Sequence, residues 1–214
     1  MPKAPKPLDQ PLKLTVGNLK GGTARSTTAI FLALALLRRT GQSVLVVDAD
    51  GANGTAYEWS QDAGAGWPSG IKVAYWPSLK LAQRVRESGH AGHIIIDTAP
   101  HDADVLRQAL SVTDHLVMPI AATPSEARRM RPTLAVAAEI GTNRPIELSV
   151  LFTRIKPRTV VLREARAALE GMGLRVIGTD VPFELLYQQS YGTVPNDLGA
   201  YAAVLDEILE GTTK

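Results

Sequence analysis

Residues 12–39 read LKLTVGNLKGGTARSTTAIFLALALLRR: a strand-length apolar run, a polar turn with two adjacent glycines, then a helix-length apolar run. That order makes an anion cradle, because glycines let backbone N–H groups approach closely and a helix start adds the positive end of its dipole. Outward from this unit, strand-length apolar runs recur at Leu12–Gly17, Val44–Val47, Val73–Trp76, Ile94–Ile96, Leu116–Ile120, Leu148–Phe152 and Arg175–Ile177. Helix-length segments lie between most of them, at Thr27–Arg39, Leu79–Ser88, Ala103–Ser111, Ser125–Ile140 and Val160–Met172. Alternation of the two implies parallel βαβ units and an α/β, doubly wound, mostly parallel sheet flanked by helices on both faces. VLVV, IIID and LVMPI are apolar on both faces, as strands buried under two helix layers must be. Residues 51–70 are rich in Gly, Ala and polar side chains and read as a loop with one short helix at Thr55–Gln61.

With 214 residues, 45% apolar and 21% charged, the chain has material for one domain, expected over residues 12–214. Residues 1–11, with four prolines and two lysines, read as a disordered basic arm. The net charge of +2 excludes a strongly basic nucleic-acid binder, so any such surface is local. Charge is uneven: residues 1–124 carry 12 basic and 10 acidic side chains, 125–175 carry 10 and 5, and 176–214 carry 1 and 6. The middle excess is either a solvated helix surface or a phosphate-contacting patch. With no cysteine, disulfides, thiolate metal sites and a cysteine nucleophile are excluded. The longest apolar run, Ala29–Leu37, is too short to span a bilayer, the opening lacks the apolar core of a signal peptide, and the closing stretch Tyr201–Glu210 is too acidic for an anionic membrane surface. A soluble cytoplasmic protein without membrane attachment is expected.

Against the general phosphate-loop pattern G-x-x-x-x-G-K-[ST], the turn carries Leu19, Ala24 and Arg25 where Gly, Gly and Lys belong, and only Ser26 matches. It fits the deviant form K-G-G-x-G-K-[ST]-[ST] better, through Lys20, Gly21, Gly22, Ser26 and Thr27. After later apolar strands come VLVVDADGAN, with Asp48 and Asp50, and IIIDTAP, with Asp97. LFTRIKPRT and TDVPFELLYQQSYGTVPND follow further on. In these segments the chain resembles the ParA and MinD family of deviant Walker-A ATPases, above all the small plasmid-partition ParA proteins, over Leu12–Glu210. The resemblance implies a P-loop NTPase-like fold that binds ATP and Mg²⁺ and dimerises face to face.

By that resemblance the catalytic residues are Lys20, reaching into the partner's site, Arg25 in the place of the ordinary phosphate-loop lysine, and Asp50, orienting the attacking water. Gly21, Gly22, Thr23, Ala24, Arg25, Ser26 and Thr27 would hold the phosphates. Arg154, Pro182 and Phe183 would border the adenine, although Pro182 and Phe183 also suit core and turn roles. Ser26 and Asp97 would hold the Mg²⁺ shell, with Asp48 assisting. A Cβ at Ala24 costs energy if that position needs φ above zero, and Arg does not substitute simply for Lys, so the two departures weigh on hydrolysis more than on binding. Arg128, Arg129, Arg131, Arg158, Arg163 and Arg166 are the candidates for nonspecific DNA contacts. The expected function is partition of a plasmid or chromosome: ATP-dependent dimerisation, nonspecific nucleoid binding in a bacterial cytoplasm, and slow hydrolysis stimulated by a ParB-like centromere-binding partner. The alternatives are a nucleotide-binding switch with impaired hydrolysis and a ParA-like positioning protein for a non-DNA cargo. With no helix-turn-helix pattern before Leu12, operator-specific repression is not expected. His90, His93, His101 and His115 suggest no metal site, His90 and His93 reading as an exposed turn, and Trp59, Trp67 and Trp76 read as packing residues.

Overall fold

A computed structural model describes residues 8, 10–123 and 126–211, apart from the side chains of Ala127 and Arg128. Most of the expected arm, residues 1–11, lies outside the described residues. Strands β1 (Lys13–Val16), β2 (Val44–Ala49), β3 (Ile71–Tyr75), β4 (His93–Thr98), β5 (His115–Ile120), β6 (Glu147–Ile155), β7 (Arg175–Val176) and β8 (Val181–Pro182) form one sheet. Its order is β3-β2-β4-β1-β5-β6-β7, with β8 beside β6, and the pairings are parallel. The helices are α1 (Arg25–Thr40), α2 (Thr55–Asp62), α3 (Leu81–Glu87), α4 (Ala103–Leu110), α5 (Glu126–Arg129), α6 (Arg131–Gly141), α7 (Val160–Gly171), α8 (Leu185–Gln188) and α9 (Tyr201–Gly211).

The period-two alternation of the strands sorts the core into two layers. Leu14, Val16, Val44, Val46, Ile95, Val117 and Leu151 face α1, α2 and α9, whereas Leu45, Val47, Ile94, Ile96, Met118 and Val150 face the opposite helices. Helix α1 is apolar almost all round and correspondingly buried, Ala29 to Leu36 being at most 3% exposed. It ends where Gly41 takes a φ of 71° and returns its N–H to the Leu37 carbonyl. Asp102 and Thr159 cap α4 and α7 by accepting the N–H groups of Val105 and Leu162.

The helix expected over Ser125–Ile140 is two helices that meet at Met130, with Pro132 in the first turn of α6. Proline has no N–H to donate into the previous turn, so the ladder is broken there. Strand β8 and helix α8 are too short to have a periodic signature. His93 is not in an exposed turn but is fully buried at the start of β4, where its Nδ1 accepts the Leu12 N–H at 2.9 Å. Burial pushes its pKa down to about 4. His115 is buried as well, with Nε2 2.9 Å from Ser149 Oγ. Trp59 packs edge-on against Phe31 and donates its indole N–H to the Thr193 carbonyl. Among the described residues no helix is long and apolar enough to cross a membrane.

Candidate nucleotide site

The chain leaves β1, which lies between β4 and β5, and enters α1 through the glycine turn. In an open parallel sheet the crevice at such a topological switch point is where ligands sit. Register brings the acids to the same edge: in the β2–β4 ladder Asp48 pairs with Asp97, and Asp97 also stands beside Val16 in the β1–β4 ladder. Buried Asn18 anchors the turn, donating from Nδ2 to the Pro119 carbonyl at 2.8 Å and accepting the Lys20 N–H at 3.0 Å. Thr133 on α6 accepts the Leu19 N–H at 3.0 Å. Gly22 has a φ of 75°, and Ala24, the residue before α1, a φ of 61° and ψ of 35°. Ala24 thus occupies the left-handed region where the Cβ costs about 1–2 kcal/mol. The buried Thr23 hydroxyl has no hydrogen-bond partner.

Arg25 is folded back into the loop. Its Nε donates to the Thr98 carbonyl at 2.9 Å, and its Nη1 to the carbonyls of Asn18, at 2.7 Å, and Lys20. Burial lowers its pKa, against which the charges of Asp97 and Asp50 act. The guanidinium therefore ties the start of the loop to the end of β4.

Asp97 is 1% exposed, and neither of its carboxylate oxygens has a hydrogen-bond partner of ordinary geometry. Burial and the neighbouring Asp48 push its pKa up to about 7, although Ser26 and Arg25 favour the ionised form. An orphaned buried carboxylate beside a helix-start hydroxyl fits a hard cation that also takes water and phosphate oxygens as ligands. Among the described residues no cluster of three or more His, Cys, Asp and Glu side chains forms a metal cage, which an ion of this kind does not need. Asp48 is committed differently: Oδ1 accepts the Asp50 N–H at 3.0 Å and Oδ2 the Tyr57 N–H at 2.9 Å. Burial raises its pKa, and those amides oppose the shift. Its observed role is to hold the Asp50 turn and the start of α2. Asp50, 6% exposed, accepts the N–H groups of Ala52 and Asn53 on Oδ1 and the Asn53 amide on Oδ2.

Arg154, Pro182 and Phe183 come together with Thr27 around a cavity of about 300 Å³. Arg154 reaches back to the Gly22 carbonyl at 3.1 Å, and its guanidinium lies over the Phe183 ring, 5.3 Å from the centroid. Tyr187 and Tyr191 also line this cavity, a role the sequence does not mark. Lys20 forms an ion pair with Glu126, which is 106 residues away in the chain and lacked any local signal.

Of the arginine candidates, Arg129, Arg131, Arg158 and Arg163 are exposed, while the side chain of Arg128 lies outside the described residues. The guanidinium of Arg166 is engaged within the fold, with the Ile177 carbonyl at 2.7 Å, Asp180 at 2.5 Å and the face of Phe152. Those bonds close the turn after β7 and leave little of the group for a phosphate.

A glycine-rich loop at the switch point of a doubly wound parallel sheet, with a buried acid on the next strand end, defines a nucleotide-binding domain of the P-loop kind. Residues 14–193 match the CobQ/CobB/MinD/ParA nucleotide binding domain, and the chain belongs to that family. It is 32% identical over 152 residues to the maintenance of carboxysome distribution protein A of Gloeobacter kilaueensis, across 70% of this chain and 66% of that relative, just under two thirds of its length. The fold is similar to that of a plasmid partition protein of Borrelia burgdorferi B31 bound to AMPPNP, with a TM-score of 0.74 and 17% identity over 95% of this chain and 100% of that one. It is also similar to cobyrinic acid a,c-diamide synthase of Mycobacterium smegmatis with a bound ATP analogue and magnesium, with a TM-score of 0.73 and 19% identity over 95% and 96% of the two chains.

Proposed function

We propose that this chain is an ATP- and Mg²⁺-dependent positioning ATPase, which dimerises on ATP, binds DNA nonspecifically as a dimer and turns over slowly. The observation that carries the nucleotide reading is Asp97, a buried carboxylate beside the Ser26 hydroxyl, with no hydrogen bond of ordinary geometry, one strand from a glycine turn. The amides of residues 21–27 cradle the phosphates, and Thr23 and Thr27 add hydroxyl donors. Ser26 and Asp97 hold the ion shell, and Asp48 stiffens the Asp50 turn from behind. When bound, Mg²⁺ neutralises charge on the phosphate oxygens. Arg154 and Phe183, stacked on one another, border the base together with Pro182. Asp50 orients the attacking water, its Oδ2 keeping acceptor capacity beside the single Asn53 bond. Lys20 meets the phosphates of a second subunit. Arg25 braces the loop instead of grasping phosphate, which accounts for slow turnover.

Exposed Arg129, Arg131, Arg158 and Arg163 supply phosphate contacts on DNA, so binding weakens steeply with salt. The cargo is a plasmid or chromosome region recruited through a ParB-like partner. A second reading, a non-DNA cargo, is favoured by the carboxysome-distribution relative. The deciding experiment measures duplex DNA binding in the apo, ADP and ATP states with Mg²⁺ at fixed salt, with phosphate release read in the same tubes. ATP-selective DNA binding with slow release is expected. ATP binding with neither DNA binding nor release would leave only a static nucleotide switch.

A further inference from the structure

The turn that follows β4 presents a histidine, His101, to solvent. Its backbone is left-handed, with a φ of 60°, a conformation that is uncommon outside glycine and that gathers at functional sites. The His101 N–H donates to the Leu19 carbonyl at 2.9 Å, which ties this turn to the glycine turn. The ring then lies against Gly21: a methyl group on that glycine would stand 3.9 Å from His101 Nε2, at van der Waals distance. His101 also lines, together with Asp50, Asp102 and Asp104, a cavity of about 620 Å³.

Two observations put the ring at the outer end of the phosphate cradle. The base cavity is bordered by Thr27, so a phosphate chain starts at that end of the loop and runs toward Gly21. Asp50, read as orienting the attacking water, shares its cavity with His101, and that water meets the terminal phosphate. The phosphate faces carboxylates there, while the cations around the turn are engaged elsewhere: Lys20 with Glu126, Arg25 with three carbonyls and Arg154 with the Gly22 carbonyl. A ring N–H at that end supplies a donor where the anion needs one. We propose that His101 is a ligand of the terminal phosphate, donating from Nε2 to one of its oxygens, so that the site distinguishes a nucleoside triphosphate from a diphosphate. The inference rests on the reading of the glycine turn as a phosphate cradle and adds a residue to it.

The test uses the full chain, labelled with nitrogen-15 at histidine and titrated with ADP and with AMPPNP in the presence of Mg²⁺. The His101 signals are assigned by their absence from His101→Gln. AMPPNP is expected to shift the His101 Nε2 resonance saturably and ADP to leave it in place. His101→Asn suits the left-handed backbone but is too short to reach the phosphate. It should weaken AMPPNP about tenfold and leave ADP affinity within about twofold, and the longer amide of His101→Gln should restore most of the loss. Equal responses of the ring to the two nucleotides, or an asparagine variant that weakens both alike, would overturn the proposal. In Lys20→Ala saturated with AMPPNP the shift should persist; its loss there would assign the ring to the face between subunits and overturn the phosphate contact. If the wild-type chain binds neither nucleotide, the cradle reading fails and the inference falls with it. If it binds both and His101 does not tell them apart, the inference alone is overturned.

Discussion

Replacing Asp97 by asparagine should change how the stability of the ligand-free chain depends on pH. The carboxyl is fully buried, and its pKa is pushed from 3.8 to about 7. Between about pH 4 and pH 7 the native chain therefore holds a proton that the unfolded chain has released. Stability from this group is present below that window and is lost as the pH rises through it. The displacement corresponds to about 4 kcal/mol by pH 8, or about 10 °C in Tm for a domain of this size. Urea denaturation of the wild type and Asp97→Asn from pH 4 to 8.5, without nucleotide, gives a difference curve in which His93 and His115 cancel. The curve should move in favour of the variant by about 4 kcal/mol across the window, whatever constant offset the buried amide adds. Mg²⁺ with nucleotide should flatten the wild-type dependence, since a bound cation holds the carboxylate ionised. A flat difference curve, or one that falls with pH, would refute the picture of an uncompensated acid waiting for a cation.

His93 should act with the opposite sign. Its pKa is lowered to about 4, so between about pH 6.5 and pH 4 the unfolded chain binds the extra proton and stability falls as the pH falls. His93→Gln should remove about 2 kcal/mol of that acid sensitivity, read by urea denaturation at pH 4.5 and 7. Phe183→Ala should weaken ATP binding about tenfold by equilibrium titration with little change in Tm, because the ring is 55% exposed and touches the Arg154 guanidinium. Arg131→Ala should weaken DNA binding in the ATP state and reduce its salt dependence, while Arg166→Ala should instead lower Tm by breaking the Asp180 bond.

The fold was legible because its signals are local. Buried parallel strands such as Val44–Val47 and Ile94–Ile96 are apolar on both faces, and the glycine pair stands where β1 meets α1. Asp97 was legible for the same reason, since it directly follows a strand run. What the sequence does not carry are partners set by tertiary approach. The Lys20–Glu126 pair, the Arg25 bonds to Asn18, Lys20 and Thr98, and the cavity-lining Tyr187 and Tyr191 depend on long-range contacts without periodicity. Arg166 illustrates the converse. Counted as charge it belongs to a basic stretch, yet Asp180 and two carbonyls absorb it.

The two departures in the glycine turn are physically coupled. Ala24 holds a left-handed backbone at a cost of about 1–2 kcal/mol, and the adjacent Arg25 makes three bonds, to the carbonyls of Asn18 and Lys20 at the start of the loop and of Thr98 at the end of β4, each worth about 1.5–3 kcal/mol for a charged donor. The arginine more than offsets the strain, and the result is a loop stiffened by its own side chain. A lysine has one donor group on a flexible stem and cannot span three carbonyls. Arg25→Lys should therefore lower the Tm of the ligand-free chain by several degrees and raise the rate of phosphate release, because the ammonium is free to swing to the phosphates. Adding Ala24→Gly should recover part of the lost stability without reversing the gain in rate, since glycine removes the strain the arginine was offsetting. Thermal melts and phosphate release on the two single variants and the double variant complete a cycle. A lower release rate in Arg25→Lys would mean that the guanidinium already contacts phosphate during turnover, and the account of Arg25 as a brace would be wrong.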